Sequence, residues 1–112
     1  SAGAEEVLNL ARDLVGDSPN LFALRVRGRS MIDACIMDGD IVVMEAANTV
    51  PDGEMVAVWL KDEHEVTLKR FYREANQVRL QPANRQIEPL YVDPSNVEIQ
   101  GRVVAVIRKV AP

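Results

Sequence analysis

The sequence predicts a mainly β domain, an antiparallel fold with a short N-terminal arm or helix. Three observations carry that prediction. From Leu21 onward the apolar residues fall in short runs that either alternate with polar residues or are continuously apolar, as strands do. Gly, Pro, Asn and Asp clusters punctuate those runs with turn chemistry. Only one stretch, at the N-terminus, has helical spacing. Many short strands beside one helix point to an all-β architecture.

Residues 4–14 set Ala4, Val7, Leu8, Ala11 and Leu14 at helical spacing, with Glu5, Glu6, Arg12 and Asp13 elsewhere. Gly16-Asp17-Ser18-Pro19-Asn20 then breaks any helix, so this segment is an arm or a short helix leading into the body. Phe22, Leu24 and Val26 alternate with Ala23, Arg25 and Arg27, the pattern of a half-buried strand. Ile41–Met44 and Met55–Leu60 are continuously apolar, as expected of strands covered on both faces. Asp38-Gly39 and Asp52-Gly53 supply turns between them. Glu65–Tyr72 and Gln77–Gln81 flank Glu74-Ala75-Asn76 as a hairpin. Pro82–Pro94, with its prolines, reads as an irregular loop, and Val97–Ile99 and Arg102–Val110 as the final strands.

At 112 residues the chain is one domain, long enough for a hydrophobic core without metal or disulfide staples. The single cysteine, Cys35, rules out an internal disulfide and fits a reducing cytoplasm. There is no apolar run near the length of a membrane span and no basic-plus-apolar leader. A net charge of -4 argues weakly against nucleic-acid binding by this chain alone. Arg25, Arg27 and Arg29 cluster at period two, as a solvated strand face or a docking patch. His64 lies in a charged turn and reads as a surface residue. No zinc-spaced Cys/His cluster, Gly-rich phosphate loop or internal repeat is present, so no metal or cofactor is expected.

Chemistry converges on two residues. Ser30, in Gly28-Arg29-Ser30-Met31, follows a strand-like run and shares the parity of Phe22, Leu24 and Val26. A continuing strand aims its hydroxyl toward the apolar side, and Gly28 lets another backbone approach closely, as a β-strand substrate does. Locally, the same four residues read first as a turn that merely ends a strand. Lys69 sits in Val66-Thr67-Leu68-Lys69-Arg70, with Thr67 and Phe71 on its face. It either snorkels to solvent or is partly desolvated, and desolvation leaves some neutral amine. A serine hydroxyl needs such a base to act as a nucleophile at neutral pH.

Six segments in register decide between these alternatives. Val26-Arg27-Gly28-Arg29-Ser30-Met31, then Ile36-Met37-Asp38-Gly39-Asp40-Ile41-Val42-Val43, resembles the nucleophile region of LexA-type repressors and their self-cleaving relatives. Asp52–Ala57, Glu65–Phe71, Leu80-Gln81-Pro82-Ala83-Asn84 with Ile87–Leu90, and Gly101–Arg108 resemble later parts of that family. The likeness covers about residues 21–110. It implies a β fold shared with phage repressors, UmuD-type polymerase subunits and, more distantly, signal peptidases. By carry-over, Ser30 is the nucleophile and Lys69 the general base of a serine endopeptidase that cuts its own chain. The Ser30 amide is the oxyanion donor, with Met31 a site wall or core filler and Thr67 orienting the amine or merely packing.

The resemblance further implies residues 1–20 as an arm or cleavage-region remnant and residues 21–112 as the autoprotease and dimerisation domain. Ala2-Gly3 has the chemistry of the family's scissile bond. Its distance from Ser30 is shorter than the family usually shows, and the apolar stretch that normally follows is missing. A homodimer through Gly101–Val110, stimulation by RecA on single-stranded DNA, and repression of the SOS response are the expected associations. Operator DNA is expected to bind only through an N-terminal helix-turn-helix domain, for which this chain has no segment. A UmuD-like accessory subunit and a catalytically idle dimerisation module are the alternatives.

Overall fold

The computed structural model describes residues 4–16 and 20–110. Helix α1 spans Ala4–Val15, followed by strands β1 (Leu21–Arg25), β2 (Ile41–Ala46), β3 (Met55–Leu60) and β4 (Glu65–Arg73). Strands β5 (Val78–Gln81), β6 (Leu90–Val92) and β7 (Val97–Ile107) complete the chain. The seven strands form one antiparallel sheet in the order β1-β2-β7-β3-β4-β5-β6. No helix among the described residues is long and apolar enough to cross a membrane.

The continuously apolar runs are explained by burial on both faces. In β3, Val56 and Val58 join one core cluster with Phe71, Leu80 and Ile99, while Ala57 joins another with Met31, Ile36, Val42 and Met44. In β2, Val42 and Met44 face that second cluster, and Val43 turns to a third beneath α1. Both strands are covered on both faces, so polar alternation is disfavoured on either side. Leu8 anchors α1 against Leu21 and the β7 residues Val104, Ala105 and Ile107. Leu14, expected on the same apolar stripe, is 70% exposed, so the stripe is narrower than its spacing suggests.

Three expectations about the elements are corrected. The final two runs are one strand, since β7 pairs with β3 through its first half and with β2 through its second. Gly101 sits at the crossover because nothing larger fits. A Cβ there would stand 2.8 Å from the Glu45 carbonyl oxygen and 2.9 Å from the Phe22 ring. Register shifts near Gly101 and Val104 mark bulges. The second moves Val104, Ala105 and Ile107 to the helix-covered face, while Val103 stays with the Met31 cluster. The prolines of 82–94 do not exclude a strand there: Leu90–Val92 forms the edge strand β6.

The third correction concerns Ser30. Strand β1 ends at Arg25, so parity with Phe22 does not extend to the serine. Val26 N–H still donates to the Asp40 carbonyl and Gly39 N–H to the Val26 carbonyl, both at 2.8 Å. Gly28 then adopts a φ of +84° and its N–H turns to Asp38 Oδ1 at 2.7 Å. The glycine suits that left-handed backbone, and a Cβ there would meet nothing of the chain itself within 4 Å. Arg25, Arg27 and Arg29 are exposed, consistent with a solvated face, and Arg25 Nη1 donates to the Gly39 carbonyl. His64 is exposed, with its ring 5.8 Å edge-on from Trp59.

Candidate functional site

Ser30 is carried by an irregular turn between β1 and a 3₁₀ turn at Ile32–Ala34. One anchor is apolar: Met31, the next residue, is 1% exposed and packs among Ile36, Val42, Met44 and Ala57. Burying that side chain fixes the turn on the body of the sheet and leaves Ser30 at its rim. The remaining anchors are polar. Asn84 Nδ2 donates to the Arg29 carbonyl at 2.8 Å, and Asp33 N–H donates to the Ala83 carbonyl at 2.7 Å. Arg85 N–H donates in turn to Asp33 Oδ2 at 2.9 Å.

The far end of the turn closes on Asp40, whose side chain is 2% exposed. Its carboxylate accepts from Met37 N–H and from Arg108 Nε and Nη2, each at 2.7 Å. The Arg108 guanidinium holds the Asp40 carboxyl below its ordinary range, against the opposing effect of burial. Arg108 Nη2 also donates to the Cys35 carbonyl, so the end of β7 is stapled to the turn that carries Ser30.

Lys69 arrives by a different route. It lies in the regular ladder of β4, directly opposite Val56 on β3. Its Nζ stands 3.2 Å from Ser30 Oγ and donates to Thr67 Oγ1 at 2.6 Å. Two-residue spacing on a strand puts Thr67 and Lys69 on one side, which is why the hydroxyl reaches the amine. Burial lowers the Lys69 pKa below the ordinary 10.5, and Glu65 opposes that shift only in part. Desolvation raises the neutral fraction of this lysine at any given pH above that of an exposed one. Its lone pair can accept the serine proton while an N–H remains bonded to Thr67.

The pair opens into a cleft of about 320 Å³ lined by Leu24–Arg27, Ser30, Met31, Val42 and Val66–Lys69. Among the described residues, the Glu65–Lys69 part of β4 pairs only with β3, and β1 pairs only with β2. The cleft therefore lies beside strand segments that still have unpaired edges. The structure thus brings together Ser30, Lys69, Thr67 and Met31. The bond Ala2-Gly3 lies outside the described residues. Among the described residues no group of three or more His, Cys, Asp or Glu is placed to hold a metal ion. Asp33, Asp40, Asn84 and Arg108 escaped the sequence reading as site supports. The only signal for them is turn chemistry at Asp38-Gly39-Asp40 and the polar Asn84 after a proline.

The Peptidase S24-like family model matches residues 1–104. The chain belongs to this peptidase family. Among curated relatives, the LexA repressor of Roseiflexus sp. (strain RS-1) is 54% identical over 110 residues, covering 96% of this chain and 50% of that protein. The LexA repressor of Herpetosiphon aurantiacus is 50% identical, covering 96% of this chain and 51% of that protein. The LexA repressor of Oceanobacillus iheyensis is 42% identical over 106 residues, with 95% of this chain and 50% of that protein covered. This S24 domain therefore spans about half the length of the LexA repressors it matches.

Proposed function

We propose that this chain is the self-cleaving half of a LexA-like repressor of the DNA-damage response, with Ser30 as nucleophile and Lys69 as general base. The observation that carries this reading is the contact of 3.2 Å between Ser30 Oγ and a desolvated Lys69 Nζ. Neutral Lys69 takes the hydroxyl proton as Ser30 Oγ attacks a peptide carbonyl carbon. The carbonyl π electrons move to oxygen, and backbone N–H groups of the nucleophile turn receive that charge. Collapse breaks the C–N bond, and protonated Lys69 returns the proton to the leaving amine. Water, deprotonated by the Lys69 amine, then attacks the acyl-serine ester, and protonated Lys69 returns the proton to the departing Ser30 Oγ. Thr67 holds the amine in place throughout.

The substrate is a segment of the same polypeptide, bound as an extended strand in the cleft. The unpaired edge of Glu65–Lys69 supports that mode, because extended peptides add to free strand edges. Ala2-Gly3 is the candidate bond in this sequence. Residues 21–112 form the catalytic and dimerising unit, and residues 1–20 its arm. The second half of β7, Val103–Ile107, is paired by β2 on one side alone among the described residues, which leaves an edge for a partner copy. RecA on single-stranded DNA is the expected stimulus and the cytoplasm the expected location. Operator binding belongs to sequence outside this chain. The names of the relatives favour the repressor over a polymerase subunit.

Full-length protein carrying this domain, incubated at alkaline pH, is expected to cleave itself, with mass spectrometry locating the bond. Ser30→Ala and Lys69→Ala are each expected to abolish the product. Cleavage unchanged by either substitution would refute the assignment.

A further inference from the structure

We infer that Asn84 is a positioning residue for the nucleophile turn: it orients the Arg29–Ser30 peptide so that the Ser30 N–H faces the developing oxyanion. The inference rests on the assignment of Ser30 as the nucleophile. A trans peptide is a rigid plane whose C=O and N–H point in opposite directions. The Arg29 carbonyl and the Ser30 amide are the two ends of one such plane. Asn84 Nδ2 donates to that carbonyl at 2.8 Å, so holding the oxygen fixes the direction of the N–H. A hydrogen bond accepted at the carbonyl also polarises the amide and strengthens its N–H as a donor.

The other donor to the Arg29 carbonyl is Ile32 N–H at 3.4 Å, too long to set the orientation alone. Among the described residues the Ser30 N–H has no acceptor, so it remains available to a reacting carbonyl. Asn84 is itself held. Its Oδ1 accepts from Gln86 N–H at 2.9 Å, and its carbonyl accepts from Ile87 N–H at 3.1 Å. Flanking Ala83 and Arg85 bond Asp33 on the other side of Ser30. Residues 83–85 therefore grip the turn both before and after the serine. Only a carboxamide of this length supplies an N–H₂ to one partner and an oxygen to the other.

The test compares self-cleavage rates across pH for full-length wild type, Asn84→Ala, Asn84→Asp and Ser30→Ala. Asn84→Asp keeps the oxygen for Gln86 N–H, replaces the donor to the Arg29 carbonyl by a repelling oxygen and adds a negative charge. Both Asn84 variants are expected to lower the alkaline plateau rate roughly 10- to 100-fold, the scale of a misplaced reacting group. Asn84→Ala, which adds no charge, is expected to leave the pH midpoint in place. The Ser30 amide resonance is expected to move in both. Should Asn84→Ala not fold, Asn84→Asp with its retained turn carries the measurement. A wild-type plateau in Asn84→Asp, or slowing that tracks loss of folded protein, overturns the inference. If Ser30→Ala still cleaves, the nucleophile assignment fails and this inference with it. If Ser30→Ala is inactive while Asn84→Asp cleaves normally, only the role of Asn84 fails.

Discussion

Ser30 and Lys69 meet at one point but are held there by different physics. Lys69 rides on β4, where backbone ladder bonds to β3 fix its position whatever the neighbouring side chains are. Ser30 rides on a turn with little ladder of its own, held by Met31 in the core and by side chains of Asp33, Asp38, Asp40 and Asn84. A ladder is specified by backbone repetition and tolerates substitution. A turn of this kind depends on particular polar groups from distant parts of the chain. The position of Lys69 should therefore be robust to changes around it and that of Ser30 sensitive.

The largest effect is expected at Lys69, the proposed base. Lys69→Met should abolish cleavage, a loss of at least about 10²-fold, while the fold survives because β4 keeps its ladder. Circular dichroism alongside the cleavage assay checks both halves of that statement. Stability should also report the amine's burial. Because the folded pKa of Lys69 is below its unfolded value, the unfolded chain binds more protons between the two. Wild type should gain stability relative to Lys69→Met as pH rises through the lowered pKa toward 10.5, while cleavage should rise through the lowered pKa and then level off. Denaturation at a series of alkaline pH values tests the sign.

Next comes the turn. Asp40→Ala strips Met37 N–H and Arg108 of their acceptor and should cost about 2 kcal/mol, read from urea denaturation. It should also slow cleavage, since the end of the turn is released. The Asp40 pKa is lowered in the fold, so its contribution is present above about 3.8 and lost as pH falls through the folded value. Gly28→Ala should cost about 1 kcal/mol, because an alanine is strained at a φ of +84° although space is open. The smallest effect is expected at the far end of β4. Glu74→Ala opens the exposed pair with Arg79 and should leave the melting midpoint within about a degree. If Glu74→Ala slowed cleavage as much as Asp40→Ala, the contrast between ladder and turn would collapse.

Legibility followed the same division. Period-two reasoning put Thr67 and Lys69 on one side of a strand, and they bond at 2.6 Å. The same reasoning applied to Ser30 assumed a strand that stops at Arg25. Asn84 and Asp33 were invisible as supports because their partners lie 55 and 52 residues away and follow no local period. The two-bulged crossover at β7 was unreadable for a related reason. Its apolar run does not say which neighbour each half pairs with, and only the approach of Glu45 and Phe22 demands a glycine at position 101.

By itself, the sequence determined the β class and the twice-buried interiors of β2 and β3, while Ser30 and Lys69 were singled out through the family resemblance. The class and the interiors follow from local periodicity, turn chemistry and residue type, each written within a few neighbouring positions. Tertiary structure alone decided that Ser30 stands on a turn, that Lys69 is desolvated beside it, and that Asn84 and Asp40 hold that turn in place. Those are meetings between residues far apart in the chain, and distance in space is not encoded in any local window.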